Sequence, residues 1–547
     1  MEQEQVLPGT EVLADTKAMI DSLKTVCANA GLANDSSEYK IITEIFLYKY
    51  LNDKFLHELR NLDDFKDVVD PEALYSAMSD DDRDSALLLL DESTAVVRPE
   101  YLLSNLFNNQ NQDGFAEMLD EALVGISDDN IDVFSVKTGG GQAIRLFNGV
   151  SRFIMEEGKR DGFAKSLVNK LANFSFEKAF EQKYDFFASV FEYLVSDYNK
   201  DSGTYGEYFT PHSIATIIAR ILVPEGAKDV SVYDPAAGTG TLVLAAAHKI
   251  GEDNCTIFTQ DRSQKANEFM RLNLILNNLV HSLPNVVNDD TLENPRHLAS
   301  NKKAIRQFDY IVSNPPFKAD FSDVRDTLAG SEHAARFWAG VPNIVKDANK
   351  MEIYLMFLQH IVASMKPNGK AAIVVPTGFL TASKKIPSAI RKRMVDEKML
   401  RGVISMPANI FANTGTNVSI VFLDGSKKNE DALLMDASKL GTKERIDGKN
   451  QRTYLSEGEI DRIVNIFNGQ EEVEDFSVTA SYEDIAEKKY SFSAGQYFEV
   501  KIEYVEITPE EFDAELAKRM NLLSKFFSEG NRLQAEIEAQ LKELRFG

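Results

Sequence analysis

The spacing of apolar residues divides the chain into stretches of different period. From Met1 to about Val136 they recur every three or four residues, as at Ile42, Ile45, Phe46, Tyr50 and Leu51, which is the spacing of helices with a buried face. The acidic run Ser79-Asp80-Asp81-Asp82-Arg83-Asp84 suits a loop or a helix start, and Gly139-Gly140-Gly141 a break. A phosphate loop would need a strand before these glycines and a lysine after them; the pattern offers neither, so the run reads as a hinge. Another helical stretch comes next, with Phe186, Phe187, Val190, Phe191, Tyr193 and Leu194.

Between Val230 and Asp424 the period changes. Short β-rich runs at Val230 to Tyr233, Cys255 to Thr259, Phe308 to Ser313, Lys370 to Val375, Gly402 to Met406 and Val418 to Leu423 alternate with helical segments. The helices are expected near Thr239 to Ile250, Gln264 to Val280, Met351 to Met365 and Pro387 to Lys398. This alternation predicts βαβ units in an open, mostly parallel sheet with helices on both faces. Ligands of such sheets bind beyond the carboxyl ends of the strands, so functional residues should sit just after strands. The chain is therefore divided into a helical head (1–136), a helical lead-in (137–205), an α/β domain (206–426), an extension (427–504) and a helical tail (505–547). Thr508-Pro509-Glu510-Glu511 starts the tail with a cap and a proline. Its stripe of Phe512, Leu516, Met520, Leu523, Phe527, Leu533, Ile537, Leu541 and Leu544, broken at Gly530, calls either for a partner helix or for docking on the chain's own body.

Composition narrows the class. At 547 residues, 44% hydrophobic and 27% charged, the chain can bury more than one globular core. Its beginning is acidic and its apolar runs are far too short to span a bilayer, so no membrane association and a cytoplasmic location are expected. Cys27 and Cys255 lack metal-ligand spacing and are expected to be reduced packing residues. The net charge is −25, the wrong sign for a lone binder of nucleic acid. Either a local basic surface, for which Lys384, Lys385, Arg391, Lys392 and Arg393 are candidates, or a basic partner would have to supply the grip.

Five features carry chemistry. Asp234-Pro235-Ala236-Ala237-Gly238-Thr239-Gly240 comes after the first β run; Ala236, Gly238, Thr239 and Gly240 keep the backbone accessible, and Asp234 suits a cationic ligand. The loop lacks the third glycine of a dinucleotide fingerprint, so no pyrophosphate cradle is indicated. Asp261 ends the second β run, where an acid can take both ribose hydroxyls or simply cap the next helix. Asp290 falls after a third strand, where it can reach an adenine amino group or act as a turn residue. Gly206-Glu207-Tyr208-Phe209-Thr210-Pro211 opens a helix with Thr210 as cap and Pro211 at the first position; beside a helix start, the aromatic Tyr208 and Phe209, next to Glu207, can wall an adenine and a carboxylate at once, while taken alone the segment is only a helix cap.

Asn314-Pro315-Pro316-Phe317 comes after the buried run at Phe308 to Ser313. As a bland feature it is a rigid turn. As a chemical one, the Asn314 side-chain oxygen and the Pro315 carbonyl are acceptors that draw the hydrogens of a conjugated exocyclic amine toward tetrahedral geometry. Pro315 and Pro316 fix the backbone, and Phe317 offers a flat face to an extruded base. Attack on a sulfonium methyl then needs positioning and no metal.

Taken in their order along the chain, Tyr208-Phe209-Thr210-Pro211, Asp234 to Gly240 and Asn314 to Phe317 resemble the motifs of the gamma-type amino-methyltransferases of DNA. More narrowly, the chain is similar to modification subunits of Type I restriction-modification systems. Phe46-Leu47-Tyr48-Lys49-Tyr50-Leu51 in the head, Lys366-Pro367-Asn368-Gly369-Lys370 running into Ala371 to Pro376, Met406-Pro407-Ala408-Asn409-Ile410-Phe411 and the helical tail extend the likeness over nearly the full length. The family often has Leu-Pro in place of Met406-Pro407 and Gln-Glu in place of Gln260-Asp261. The resemblance implies a Rossmann-like, S-adenosylmethionine-dependent methyltransferase sheet flanked by a helical N-terminal domain and a C-terminal helical tail. It also implies adenine-N6 methylation of double-stranded DNA, a separate specificity subunit joined by two modification subunits, and a motor-nuclease restriction subunit. Rival readings are cytosine-N4 methylation, protein-glutamine methylation and an inactive assembly scaffold.

Overall fold

The structure, a computed structural model, describes residues 8–33, 37–91, 93–138, 143–180, 186, 189–190, 193–194, 210–301, 304–411, 417–426, 431–446, 450–498 and 508–543. The glycine run at 139–141, the segment 206–209, Phe187, Phe191 and Leu544 lie outside the described residues. Two compact units are present, Met1–Tyr497 and Phe498–Gly547. The expected divisions after 136, 205 and 426 all fall inside the first.

Thirteen strands are assigned among the described residues: β1 Val136–Thr138, β2 Ala143–Ile144, β3 Val230–Asp234, β4 Cys255–Asp261, β5 Val286–Asn288, β6 Phe308–Ser313, β7 Met365–Pro376, β8 Leu400–Ser405, β9 Val418–Asp424, β10 Asp431–Asp436, β11 Thr442–Ile446, β12 Asn450–Tyr454 and β13 Ser477–Ser481. Eleven of them form one sheet in the order β13-β10-β8-β9-β7-β6-β3-β4-β5-β1-β2, while β11 and β12 pair as a separate hairpin. Strand β3 is parallel to β4 on one side and to β6 on the other, so strand order reverses there and opens a crevice at its carboxyl end. Because β3, β4, β5 and β6 are all parallel, Asp234, Asp261, Asn288 and Ser313 end on one edge.

The six expected β runs are strands β3, β4, β6, β7, β8 and β9. In the centre, Ala371 to Val375 of β7 and Val418 to Leu423 of β9 are buried throughout, which is what a strand covered on both faces requires. Strand β9 runs antiparallel between β7 and β8, the main departure from a parallel sheet in this part of the order. Helices Thr241–Ile250, Gln264–Leu276, Tyr354–Ala363 and Lys385–Asp396 occupy the expected intervals, with ends displaced by a few residues.

The head is continuous with this sheet. Strand β1, which does precede the glycine run although the apolar pattern had shown none, pairs in parallel with β5. Arg271, buried on the helix Gln264–Leu276, holds it there: Nε donates to the Phe134 carbonyl at 2.9 Å and Nη1 to that of Arg145 at 2.8 Å. In the head helix Glu38–Asn61, Ile42, Ile45, Phe46, Tyr50 and Leu51 are all buried, as their spacing requires. Ser79 caps the helix Asp80–Leu87, accepting from the Asp82 amide at 3.3 Å. Cys27 and Cys255 are free and buried, and burial pushes both thiols up to about 12.

Most of the candidate basic surface is taken up internally. Arg391 is buried and donates to the carbonyls of Tyr490, Phe379 and Ala382. Lys384 pairs with Glu352, Lys392 with Asp396 and Arg393 with Glu397. The run thus serves packing and local ion pairs except at Lys385, which is exposed with no acidic partner among the described residues.

The second unit contains one described helix, Pro509–Glu543, which passes through Gly530 without a break. A single glycine costs about 1 kcal/mol of helix propensity, too little to interrupt thirty-odd residues of strong helix formers. Thr508 and Glu511 form the expected reciprocal cap, with the Glu511 amide donating to Thr508 Oγ1 at 3.2 Å and the Thr508 amide to Glu511 Oε2 at 2.9 Å. No described helix of the chain is long and apolar enough to cross a membrane.

Candidate active site

Beyond the carboxyl ends of β3, β4, β5 and β6 lies a cleft of about 730 Å³, counted to its open mouth. Of the residues expected at the site, Thr210, Asp234, Ala236, Gly238, Thr239, Asp261, Asp290, Asn314 and Pro316 line it. Pro315 is buried beside them, while Gly240 shapes the loop from behind and Pro211 stands at the head of the helix His212–Leu222. Glu207, Tyr208 and Phe209 lie outside the described residues.

The loop after β3 turns through two glycines in left-handed conformations, Gly238 at φ +53° and Gly240 at φ +91°. A Cβ on Gly240 would come within 2.6 Å of Met270 Sδ, so the loop packs closely on the helix behind it. Asn273 Nδ2 donates to the Thr239 carbonyl at 2.8 Å, and Thr291 Oγ1 to the Pro235 carbonyl at 2.6 Å. The loop is therefore fixed before any ligand arrives.

Two buried carboxylates organise it. Asp234 Oδ1 accepts from the Ala236 amide and from Ser313 Oγ, both at 2.9 Å. It thus ties the loop after β3 to the end of β6. Burial raises the Asp234 pKa to about 7 against the lowering effect of these two bonds; the charge of Asp261 raises it further. Asp261 accepts from the Gly238 amide through Oδ2 and from the Ser263 amide through Oδ1, each at 2.8 Å, and burial raises its pKa too. A carboxylate offers about four acceptor positions, and those not used internally remain for a ligand. Asp290 Oδ1 accepts from the amides of Leu292 and Glu293, the turn role that its sequence context allowed.

The tetrapeptide comes directly after β6. Asn314 Nδ2 donates to Thr210 Oγ1 at 3.2 Å, which leaves Oδ1 as an acceptor without an internal partner among the described residues. Thr210 is therefore not the helix cap that the sequence suggested. The helix begins at His212, with Pro211 in the capping position and no side-chain cap bond, and the Thr210 hydroxyl is engaged by a residue 104 positions away. Phe317 is half-buried, with Tyr354 edge-on at a centroid separation of 6.4 Å.

Sequence reasoning missed part of the wall. Ile353 and Phe357 line the cleft from the start of the helix Tyr354–Ala363, and nothing in their pattern distinguishes them from core residues. Arg262, exposed and next to Asp261, and Thr291, next to Asp290, also line it; their adjacency to the two expected acids was the available signal. The cleft fits an adenosyl ligand bearing a cation: a fixed glycine loop, two buried carboxylates with spare acceptor capacity, and apolar walls from Ile353 and Phe357.

The chain is similar to known proteins over most of its length. The chain is 28% identical to the methylase subunit of the Type I restriction enzyme MpnII from Mycoplasma pneumoniae, over 86% of this chain and 85% of that one. It is 26% identical to the MjaIX methylase subunit of Methanocaldococcus jannaschii, over 70% of this chain and 67% of that one. The fold matches the crystal structure of a type I restriction-modification system methyltransferase subunit from Streptococcus thermophilus with a TM-score of 0.71 and 21% identity, covering 90% of this chain and all of that one. Residues 182–504, which contain the glycine loop, both buried carboxylates and the tetrapeptide, match the N-6 DNA methylase family. That span is more than half of the chain, and the protein belongs to this family.

Proposed function

We propose that the chain transfers a methyl group from S-adenosylmethionine to the N6 amino group of adenine in double-stranded DNA, as the modification subunit of a Type I restriction-modification complex. The observation that carries this reading is the Thr210–Asn314 bond at the mouth of the cofactor cleft, because it commits the amide nitrogen and frees the oxygen. Asn314 Oδ1 and the Pro315 carbonyl accept the two N6 hydrogens, so the amine's lone pair is withdrawn from the ring and turned toward the cleft. Phe317, steadied by Tyr354, stacks on the extruded base. Asp261 would hold the ribose hydroxyls, Asp290 the adenine amino group, and the Asp234 to Gly240 loop the cationic end of the cofactor. Bound there, the cofactor supplies a methyl group on a sulfonium, an electrophile that needs alignment above all. Two such subunits join one specificity subunit, which selects the target, and a motor-nuclease subunit completes the restriction enzyme. Residues 206–426 carry the chemistry and 505–547 the assembly contacts, in the cytoplasm.

The test is to incubate the chain, with and without a specificity subunit, with DNA and methyl-labelled cofactor, and to identify the labelled product. N6-methyladenine that depends on the partner is the expected result; label in cytosine or in protein overturns the reading. Asn314→Ala should lower turnover by about 10²–10³-fold while cofactor affinity is retained.

A further inference from the structure

The hairpin of β11 and β12 stands outside the main sheet, and its base is built on the catalytic edge. Strand β8 is antiparallel to β9, which is antiparallel to β7, and β7 is parallel to β6. Ser405 at the end of β8 therefore lies on the same edge as Ser313 at the end of β6. The segment after Ser405 buries Met406, Ile410 and Phe411 and presents its backbone to the hairpin. The Thr453 amide donates to the Asn409 carbonyl at 3.0 Å and Thr453 Oγ1 to the Ala408 carbonyl at 2.6 Å. On the other strand the Gly441 amide donates to Glu459 Oε1 at 2.7 Å. At φ +86°, with a Cβ position only 2.5 Å from Thr453 Cγ2, Gly441 lets the two strands meet at that base. Both strands are anchored, so the hairpin is a constructed arm.

Its charge is opposite to that of the chain. Over the described residues 437–446 and 450–456 there are four basic side chains, Lys439, Lys443, Arg445 and Arg452, and one acid, Glu444, in a protein of net charge −25. Lys439, Lys443 and Arg445 are exposed and have no acidic partner among the described residues, unlike the paired Lys384, Lys392 and Arg393. Register places Lys443 opposite Thr453 and Arg445 opposite Gln451. Alternation then puts Lys443 and Arg445 on the face whose Thr453 hydroxyl bonds the post-β8 segment, which is the side of the catalytic edge. On the opposite face Arg452 lies over the Tyr454 ring, 5.0 Å from its centroid.

We propose that this hairpin is an arm that grips the phosphate backbone of duplex DNA beside the extruded base, with Lys443 and Arg445 making the contacts. The inference rests on the DNA reading above. A two-stranded ribbon has the dimensions to follow a groove, and unpaired cations at the edge where the target is presented supply locally the sign that the whole chain lacks.

The experiment uses the assembled complex with its specificity subunit and a labelled duplex carrying the target, and measures the dissociation constant as a function of salt. For the double variant Lys443→Gln, Arg445→Gln the slope of log affinity against log salt should fall in magnitude by roughly two, with cofactor affinity and subunit assembly unchanged. Arg445→Lys, which keeps the charge, should retain the parental slope. An unchanged slope in the double variant overturns the proposal. So does lost assembly with an unchanged slope in whatever complex forms, since the face would then serve a protein partner. If the unsubstituted complex methylates no adenine, the functional reading fails first; if it methylates normally and only the slope is insensitive, this inference fails alone.

Discussion

Asp234 is subject to opposing influences that pH can separate. It is 1% exposed, and its carboxyl pKa is raised to about 7, against about 3.9 for an unfolded aspartate. Between those values the native state holds more protons than the unfolded chain, so the stability tied to this group is complete below about pH 4 and is lost as pH rises through about 7. Asn in its place keeps a single oxygen able to accept from Ala236 and Ser313, and removes the titration. Asp234→Asn should therefore lose less melting temperature than the parent between about pH 5 and pH 8. Parallel melting curves over that range would contradict the assignment. Thr210 shows what sequence hides at this scale: next to Pro211 it has every local mark of a cap, and only the fold brings Asn314 to it. Thr210→Val removes one orienting bond of about 1 kcal/mol, so kcat should fall about fivefold to tenfold. KM for the cofactor should stay near the parental value; a rise in KM with unchanged kcat would place Thr210 in cofactor binding.

Elements were legible where the period was strong. Strands β3, β4, β6, β7, β8 and β9 have runs of β-branched and aromatic residues long enough to read, and the predicted edge for the motifs results from their parallel order. Strands β1, β2 and β5 are two or three residues long, too short for any alternation to register, and they exist because Arg271 and the neighbouring strands hold them. The place of the glycine loop after β3 was readable, but its rigidity was not, since Met270, Asn273 and Thr291 come from other elements. That rigidity gives a prediction. Gly240→Ala puts a side chain at φ +91°, a strain of about 1–2 kcal/mol, and presses on Met270. Denaturant unfolding should show a loss of that order, and cofactor affinity should fall with it because the loop must shift; unchanged affinity would mean that the loop does not hold the cofactor.

At the scale of the whole molecule, an acidic chain is paired with a reaction on a polyanion, and the tail bears on how the two are reconciled. The first unit ends at Tyr497, and the last of its buried described residues is Ala494. The second unit is essentially one capped helix in which Leu516, Met520, Leu523 and Phe527, spaced at three and four residues, line one face without another described helix in the unit to cover them. A narrow stripe of this length is suited to packing against helices of another chain, and under the proposed function that chain is the specificity subunit, the source of most of the grip on DNA. Removing everything after Tyr504 should therefore leave the first unit folded, with its melting transition and cofactor affinity intact, while abolishing co-purification with the specificity subunit and with it the methylation of DNA. Leu516→Asp with Leu523→Asp should reproduce the loss of assembly without shortening the chain, because two charges on the stripe must be desolvated on docking. Assembly that survives both changes would assign the contact to another surface and leave the stripe without this role.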